Sequence, residues 1–285
     1  MNRNSIFMCE GEVLHNQALD DQQFLIRVSA PEIVAHALPG HFVHIQCSAS
    51  LPLRRPMSIM RIGPKQGWFE FLFKIHGRGT EQLARSVSGE KVSCLGPIGV
   101  PFRLQGYQAR PVLIGGGVGI PPMIFLAEHM RNLNNVSPVV MMGSEINFPF
   151  TVKPSKLLLP DAPAEAIACM PLLDDWGIPS RLATHSGFAG CYEGFVTDLA
   201  RAYISQQEQE SLEIFACGPT PMLKAVRELA LDFDLPCQIS LEEHMACAVG
   251  GCAGCNVRVL TEAGPAMKRV CVDGPVFEAR DVQFQ

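Results

Sequence analysis

Charge is scarce in this sequence, and what there is lies scattered. Only 18% of the 285 residues are Asp, Glu, Lys or Arg, the formal balance is −5, and no segment gathers five or more basic residues. That excludes the electrostatic footprint of a nucleic-acid binder and any pull toward anionic membrane lipid. A membrane-type apolar segment is missing too. The N-terminal stretch MNRNSIFMCEGEVLHNQ lacks the hydrophobic region of a signal peptide, and the longest apolar run, PVLIGGGVGIPPMIFLA, is too short to span a bilayer and carries adjacent prolines and four glycines. There is no internal repeat, no low-complexity segment, no Ser/His/Asp set and no paired-carboxylate constellation. The chain therefore reads as a soluble, cytoplasmic protein without membrane or nucleic-acid partners. With 47% hydrophobic residues, it is expected to bury a sizeable core in one large or two medium domains plus a small module.

The sequence also lacks an even cysteine count. Eleven cysteines without an export signal do not make a disulfide framework. Cys9, Cys47, Cys94, Cys169, Cys191 and Cys237 stand among apolar residues and read as small buried hydrophobes. Cys217 and four cysteines near the C-terminus remain for chemistry.

Up to about residue 106 the chain is a series of short β-rich runs, QFLIRVSA, HFVHIQCS, MSIMRIG and WFEFLFKI, parted by turn signals. That predicts an antiparallel barrel or sandwich. Over 107–236 the pattern becomes strand, glycine turn, amphipathic helix, in PVLIGGGVGIPPMIFLAEHMRNL and LEIFACGPTPMLKAVRELALDF, with VSPVVMMGSE as a further strand. This alternation predicts an α/β domain with a parallel sheet and crossover helices. The proline-rich PDAPAEAIACMP reads as a loop. From 237 to 285 the chain is short-patterned and rich in glycine and cysteine.

In that tail, Cys247, Cys252, Cys255 and Cys271 follow C-x4-C-x2-C-x15-C. Structural zinc favours paired C-x2-C knuckles, of which there is one, whereas the spacing matches the plant-type [2Fe–2S] pattern. Ala246, Ala248, Gly250, Gly251, Ala253 and Gly254 are small enough to fold around a compact inorganic core, with their amides free to face its sulfurs. Zinc and a redox dithiol are the competing readings. His244 reads as a neighbour or surface residue, the four-cysteine set being complete.

Two glycine turns suit anions. Gly115, Gly116, Gly117 and Gly119, in LIGGGVGIPP, lie between strand and helix, where a pyrophosphate would meet free amides; the competing reading is a tight turn alone. In the barrel half, Arg55 and Ser58 of RRPMSI offer a guanidinium and a hydroxyl. Gly77, Gly79 and Thr80 of FKIHGRGTEQLARS precede a helix, with Thr80 expected as its N-cap. A surface arginine and an ordinary capped turn are the alternatives.

Taken in order, RPxS, GxGT, GPIG (Gly96, Pro97, Gly99), GGGxGxxP and CGPTPM resemble the ferredoxin–NADP reductase superfamily. The tail LEEHMACAVGGCAGC…RVCVDGPVF resembles the electron-transfer subunits of class 1B dihydroorotate dehydrogenases. The resemblance covers about residues 10–280. It implies an FAD-binding β-barrel domain (1–106), an NAD(P)-binding α/β domain (107–236) and a C-terminal [2Fe–2S] domain (237–285). Arg55, Pro56, Ser58, Lys74, Gly77, Gly79 and Thr80 would then hold FAD. Gly115, Gly116, Gly117 and Gly119 would face the dinucleotide. Gly218 and Pro219 would lie with Cys217 at the nicotinamide–flavin contact, with Cys217 the candidate catalytic residue; without the resemblance Cys217 is a buried strand-end cysteine. Cys247, Cys252, Cys255 and Cys271 would ligate the cluster.

The chain departs from the family in several places. THSGF (Thr184, His185, Ser186, Gly187) stands where relatives carry an acidic stretch that would bind the NADH ribose diol, and a basic or hydroxyl residue there tolerates a 2′-phosphate. Pro101 and Ala248 replace usual glycines, and EINFPFTVKPSKLLL replaces a usual helix. The implied function is an electron-transfer subunit linking NAD(P) to a separate FMN-bearing chain that oxidises dihydroorotate to orotate in pyrimidine biosynthesis. Coupling to another oxidoreductase partner, or a zinc-stabilised non-enzymatic scaffold, are the alternatives.

Overall fold

The computed structural model describes residues 6–284. Met1–Ser5, the start of the N-terminal stretch that reads as no signal peptide, and Gln285 lie outside the described residues. The chain divides into two compact units, one reaching Phe102 and taking in Glu242–Val276, the other holding Arg103–Leu241 and the residues from Phe277 on.

In the first unit, β1 (Phe7–Ala18), β2 (Gln23–Ser29), α1 (Pro31–Val34), β3 (Phe42–Ile45), β4 (Arg55–Ser58), β5 (Arg61–Gly63), β6 (Trp68–Lys74), α2 (Arg78–Ala84) and β7 (Lys91–Ile98) follow in order. The strands form one antiparallel sheet ordered β4-β3-β7-β1-β2-β6-β5. Its two end strands are joined only by Ile59 and Met60, and the Met60 N–H donates to the Glu70 carbonyl at 2.8 Å, so the sheet curls toward closure. Facing pairs Phe24–Phe73, Ile26–Phe71 and Val28–Phe69 fill its interior along β2 and β6. On the reverse of β6, the buried Glu70 carboxylate takes two hydrogen bonds from Arg27, whose guanidinium lies 4.0 Å from the Trp68 ring centre.

His44, on β3, is fully buried, and among the described residues neither ring nitrogen is within good hydrogen-bond geometry of a partner. Burial, reinforced by the nearby Arg54 and Arg55 cations, holds its pKa down at about 4. A histidine whose folded pKa lies below its unfolded value contributes fully above about pH 6.5, and stability falls as pH drops from there toward 4. His44→Leu is therefore expected to flatten the acid limb of a stability profile by up to about 3 kcal/mol. Denaturant melts at pH 8 and pH 5 check this; an unchanged difference between the two would reject it.

In the second unit, β8 (Arg110–Gly116), α3 (Ile120–Met130), β9 (Val139–Gly143), β10 (Lys153–Pro154), β11 (Ala168–Cys169), α4 (Pro171–Asp175), β12 (Ser180–Thr184), β13 (Tyr192–Glu193), α5 (Val196–Ile204), β14 (Leu212–Cys217), α6 (Thr220–Asp232) and β15 (Cys237–Ser240) follow. After the hairpin β16 (Asn256–Thr261) and β17 (Gly264–Arg269) of the first unit, β18 (Val276–Glu278) completes a seven-stranded sheet ordered β13-β12-β9-β8-β14-β15-β18. The chain moves outward from β8 through β9 and β12, then returns through α5 to β14 on the other side of β8. Right-handed crossovers in opposite directions put α3 on one face and α5 with α6 on the other. The order reverses between β8 and β14, and that is where open parallel sheets bind ligands. The base of β14 is anchored by Glu213, buried and accepting from the Gln108 N–H at 2.6 Å and from Arg103.

Several expectations need correction. α3 is not amphipathic: Ile120 to Ala127 are all buried, so it is a core helix, whereas α6 has one apolar stripe of Leu223, Val226 and Leu229. The PDAPAEAIACMP segment contains the short strand β11. Cys47, Cys94, Cys169 and Cys237 are buried as expected, but Cys9 and Cys191 are partly exposed, because Cys9 occupies an alternating barrel strand and Cys191 a turn. Among the described residues no helix is long and apolar enough to cross a membrane.

Candidate functional site

The tail's geometry follows from its hairpin. In the β16–β17 register Asn256 faces Arg269, so Cys255 stands just before the first strand and Cys271 just beyond the second. The hairpin thus folds away the fifteen-residue gap, and the Cys255 and Cys271 sulfurs lie 3.4 Å apart. Two thiolates on one tetrahedral metal, each bonded at about 2.3 Å, stand about 3.8 Å apart. The other two cysteines also adjoin each other: the Cys252 N–H donates to the Cys247 sulfur at 3.3 Å, and the Gly254 N–H to the Cys252 sulfur at 3.4 Å.

Among the described residues no three Cys, His, Asp or Glu donors converge on a single metal point. A set disposed as two pairs, with amides aimed at sulfur, fits a two-metal cluster better than one tetrahedral zinc. Burial pushes the Cys247 thiol up, but the amides of Cys252, Val249 and Gly251 outweigh it and bring it down to about 7. Burial and the adjacent Cys255 push Cys271 up to about 12. Ala248 and Ala253 both hold positive φ, 54° and 53°, a backbone conformation that favours glycine. His244 is exposed, as a surface residue.

In the barrel the two candidate phosphate motifs meet. A Cβ on Gly79 would stand 3.0 Å from the Arg55 Nε, so the guanidinium packs over the first turn of α2. That turn begins at Gly77, with φ +90°, and no side chain caps it, which leaves its first amides free. Thr80 is not the N-cap. It sits in the helix, where its hydroxyl accepts from the His76 N–H at 2.7 Å and donates to the Gly77 carbonyl at 3.1 Å, bracing the turn from inside. Pro56 and Ser58 lie on β4 facing His44 and Phe42, and Lys74 is exposed at the end of β6. A cation over an uncapped helix start fits a diphosphate.

In the second unit, Gly115 pairs with Cys217 across β8 and β14, and the two glycine turns rise side by side from those strand ends. A Cβ on Gly119 would overlap the Cys217 carbonyl, and Gly116 and Gly218 both lie against Met222. Pro219 starts α6 and the Cys217 side chain is fully buried. The close approach of backbone at a strand-to-helix turn fits a dinucleotide phosphate.

Two residues escape sequence reasoning. Glu145 stands just beyond Gly143, which pairs with Gly116, and its carbonyl accepts from the Ser186 hydroxyl at 3.1 Å. An acid closing the second nucleotide strand was the available signal. Arg269 reaches from the end of β17 to the Gly250 carbonyl at 3.0 Å; its only sequence signal is the Arg269–Asp273 pair flanking Cys271.

Comparison with known proteins bears on all three places. The family model for the iron–sulfur cluster binding domain of dihydroorotate dehydrogenase B matches residues 242–283. The dihydroorotate dehydrogenase B (NAD(+)), electron transfer subunit of Geobacillus thermodenitrificans is 34% identical over 274 residues, 95% of this chain and 96% of that protein. The same-named subunit of Bacillus caldolyticus is 36% identical over 251 residues, 86% of each. Among solved structures, the NADH-dependent reduced ferredoxin-NADP oxidoreductase matches with a TM-score of 0.80 at 24% identity, over 96% of this chain and 90% of that one. The ferredoxin reductase in carbazole 1,9a-dioxygenase matches with a TM-score of 0.64 at 22% identity, over 81% and 67%. The solved structures establish a ferredoxin reductase-like fold, and identity above 30% along nearly the full length carries the assignment further: this chain belongs to the family of dihydroorotate dehydrogenase B electron transfer subunits.

Proposed function

We propose that the chain passes electrons between NAD(H) and a separate FMN-bearing flavoenzyme subunit that oxidises dihydroorotate to orotate, through FAD and a [2Fe–2S] cluster. The observation that carries this reading is the paired, amide-bonded arrangement of four cysteines on a chain that also has a cation-covered helix start and a glycine turn at a sheet switch point. Bound flavin supplies the exchange between a hydride pair and single electrons, and a bound cluster supplies single-electron carriage.

The chain's own residues bind and orient. Arg55 and the first amides of α2, braced by Thr80, would take the FAD diphosphate, with Gly77 and Gly79 keeping the approach clear and Pro56, Ser58 and Lys74 along the same groove. Gly115, Gly116, Gly117 and Gly119 would take the dinucleotide pyrophosphate. Gly218 and Pro219 would hold the nicotinamide end beside Cys217, whose buried side chain would pack the end of β14 beneath it. Cys247 with Cys252, and Cys255 with Cys271, would each hold one iron. On this reading the working modules are 1–106, 107–236 and 237–285. Eleven cysteines, none of them in a disulfide, suit the reducing cytoplasm.

Glu145 sets the nucleotide. Its exposed carboxylate, beside the strand end that faces the glycine loop, would accept from the ribose hydroxyls and repel a 2′-phosphate, favouring NADH despite the THSGF turn. Glu145→Gln is expected to weaken NADH binding about 10-fold or more and to narrow its margin over NADPH. Dissociation constants for both nucleotides check this, and an unaltered ratio would reject the assignment.

The function itself is tested by anaerobic titration of the purified chain with NADH. Flavin and iron–sulfur absorbance that bleach together support it. Bands that respond to dithionite alone, or no iron–sulfur band at all, would overturn it.

A further inference from the structure

We infer that Arg269 is the positioning residue of the iron–sulfur loop: it ties the segment bearing Cys247, Cys252 and Cys255 to the turn bearing Cys271, and its cation favours electron uptake there. The inference rests on the electron-transfer reading of the four cysteines.

The turn is closed by Arg269 itself. The N–H groups of Val272 and Asp273 donate to its carbonyl at 2.9 and 2.7 Å, so Cys271 is carried in a hydrogen-bonded loop. The Asp273 carboxylate in return accepts from the Arg269 N–H at 2.8 Å and lies 3.6 Å from its Nε. From this stem the guanidinium reaches on to the loop. Its Nη1 donates to the Gly250 carbonyl at 3.0 Å, midway along the loop between Cys247 and Cys252.

The consequence is carried through a planar peptide. Gly250 and Gly251 share a trans amide, so a carbonyl drawn to Arg269 turns the Gly251 N–H the opposite way. That peptide lies in the same loop as the Cys252 N–H, which donates to the Cys247 sulfur at 3.3 Å. Gly250 holds φ +83°, and a Cβ there would stand 2.6 Å from Val272 and 3.3 Å from the Arg269 Nη1, so the loop is pressed against the turn. One side chain thus holds the loop in which the Cys252 amide serves the Cys247 sulfur against the turn that carries Cys271. Groups that orient metal ligands in this way typically change metal affinity 10- to 100-fold when removed. A fixed cation beside the site also lowers the free energy of adding negative charge.

The test compares the full-length chain, purified anaerobically, with Arg269→Met, Arg269→Lys and Asp273→Asn. Iron content, the rate of iron release to a chelator, the electron paramagnetic resonance of the dithionite-reduced protein and the midpoint potential are measured, with FAD content as the folding control. Arg269→Met is expected to lose iron about 10- to 100-fold faster, with an altered resonance and a lower potential, at unchanged FAD. Arg269→Lys keeps the charge without the fork, so its potential stays near the parent value while iron release accelerates. Asp273→Asn frees the guanidinium and also speeds release, which preserves the comparison should Arg269→Met fail to fold. Parental release rate and potential in Arg269→Met, or in both other variants where it does not fold, would overturn the inference and leave the function standing. A parent chain that binds no iron would overturn both.

Discussion

Cys252→Ser is expected to purify with its flavin and without iron–sulfur absorbance. Cys252 is exposed at the crown of the loop; its sulfur accepts from the Gly254 N–H, and its own N–H serves the Cys247 sulfur. Serine preserves the backbone, and so the second of those bonds. It replaces a soft thiolate by a hydroxyl that is neutral at pH 7, and removes one of four donors where nothing nearby substitutes: His244 is exposed, and no other Cys, His, Asp or Glu completes a three-donor group among the described residues. The residues proposed to hold FAD lie on β4, at the end of β6 and at the start of α2, and the cysteines flank a hairpin with its own two-stranded sheet, so loss of one group should spare the other. Reduction of the flavin by NADH should persist while transfer to a one-electron acceptor collapses. Cys237→Ser is the control. That thiol is buried in β15, where desolvation pushes it up, and its replacement should cost about 1–3 kcal/mol of stability with the cluster intact. Full iron–sulfur absorbance in Cys252→Ser would remove Cys252 from the ligand set.

Where chemistry is local in sequence, the chain could be read directly. The cysteine spacing with its small intervening residues, and the strand–glycine–helix turns at Gly115 and Gly218, announce themselves within a dozen residues because their ligands need backbone proximity. What escaped depends on distant partners. The β1 strand alternates polar and apolar residues and is the longest in the barrel, yet only its pairing with β2 and β7 makes it one. The GPIG motif could be read as a motif but not as the end of β7. Thr80 suits an N-cap by type, and the backbone at Gly77 decided otherwise, since φ +90° starts the helix three residues earlier. α3 carries Glu128 and His129, which suggested an exposed face, but a helix covering β8, β9 and β14 has its first two turns buried all round. Glu145 and Arg269 meet their partners across strands and loops, so no local pattern reveals what they touch.

Gly119→Ala should abolish reduction by NADH while leaving FAD and iron in place. The added methyl would occupy the position of the Cys217 carbonyl, and backbone cannot rotate away as a side chain can. Relief would require β8 and β14 to part, but their parallel pairing runs from Arg110–Leu212 to Gly115–Cys217 and forms the centre of the sheet. The cheaper adjustment is to push the glycine loop outward, where it would displace whatever its amides hold. Displacement of about 1 Å at such a site costs on the order of 100-fold in rate, and the overpacking itself about 1–3 kcal/mol of stability. Gly177→Ala separates this effect from a general loss of stability. Gly177 holds φ +76° in the turn after α4 and a Cβ there meets nothing within 4 Å, so alanine costs about 1–2 kcal/mol of backbone strain without touching the glycine loop. NADH should still reduce that variant. Stopped-flow reduction of the flavin distinguishes the two: a Gly119→Ala protein reduced at the parental rate would mean that the dinucleotide does not bind at the switch point between β8 and β14.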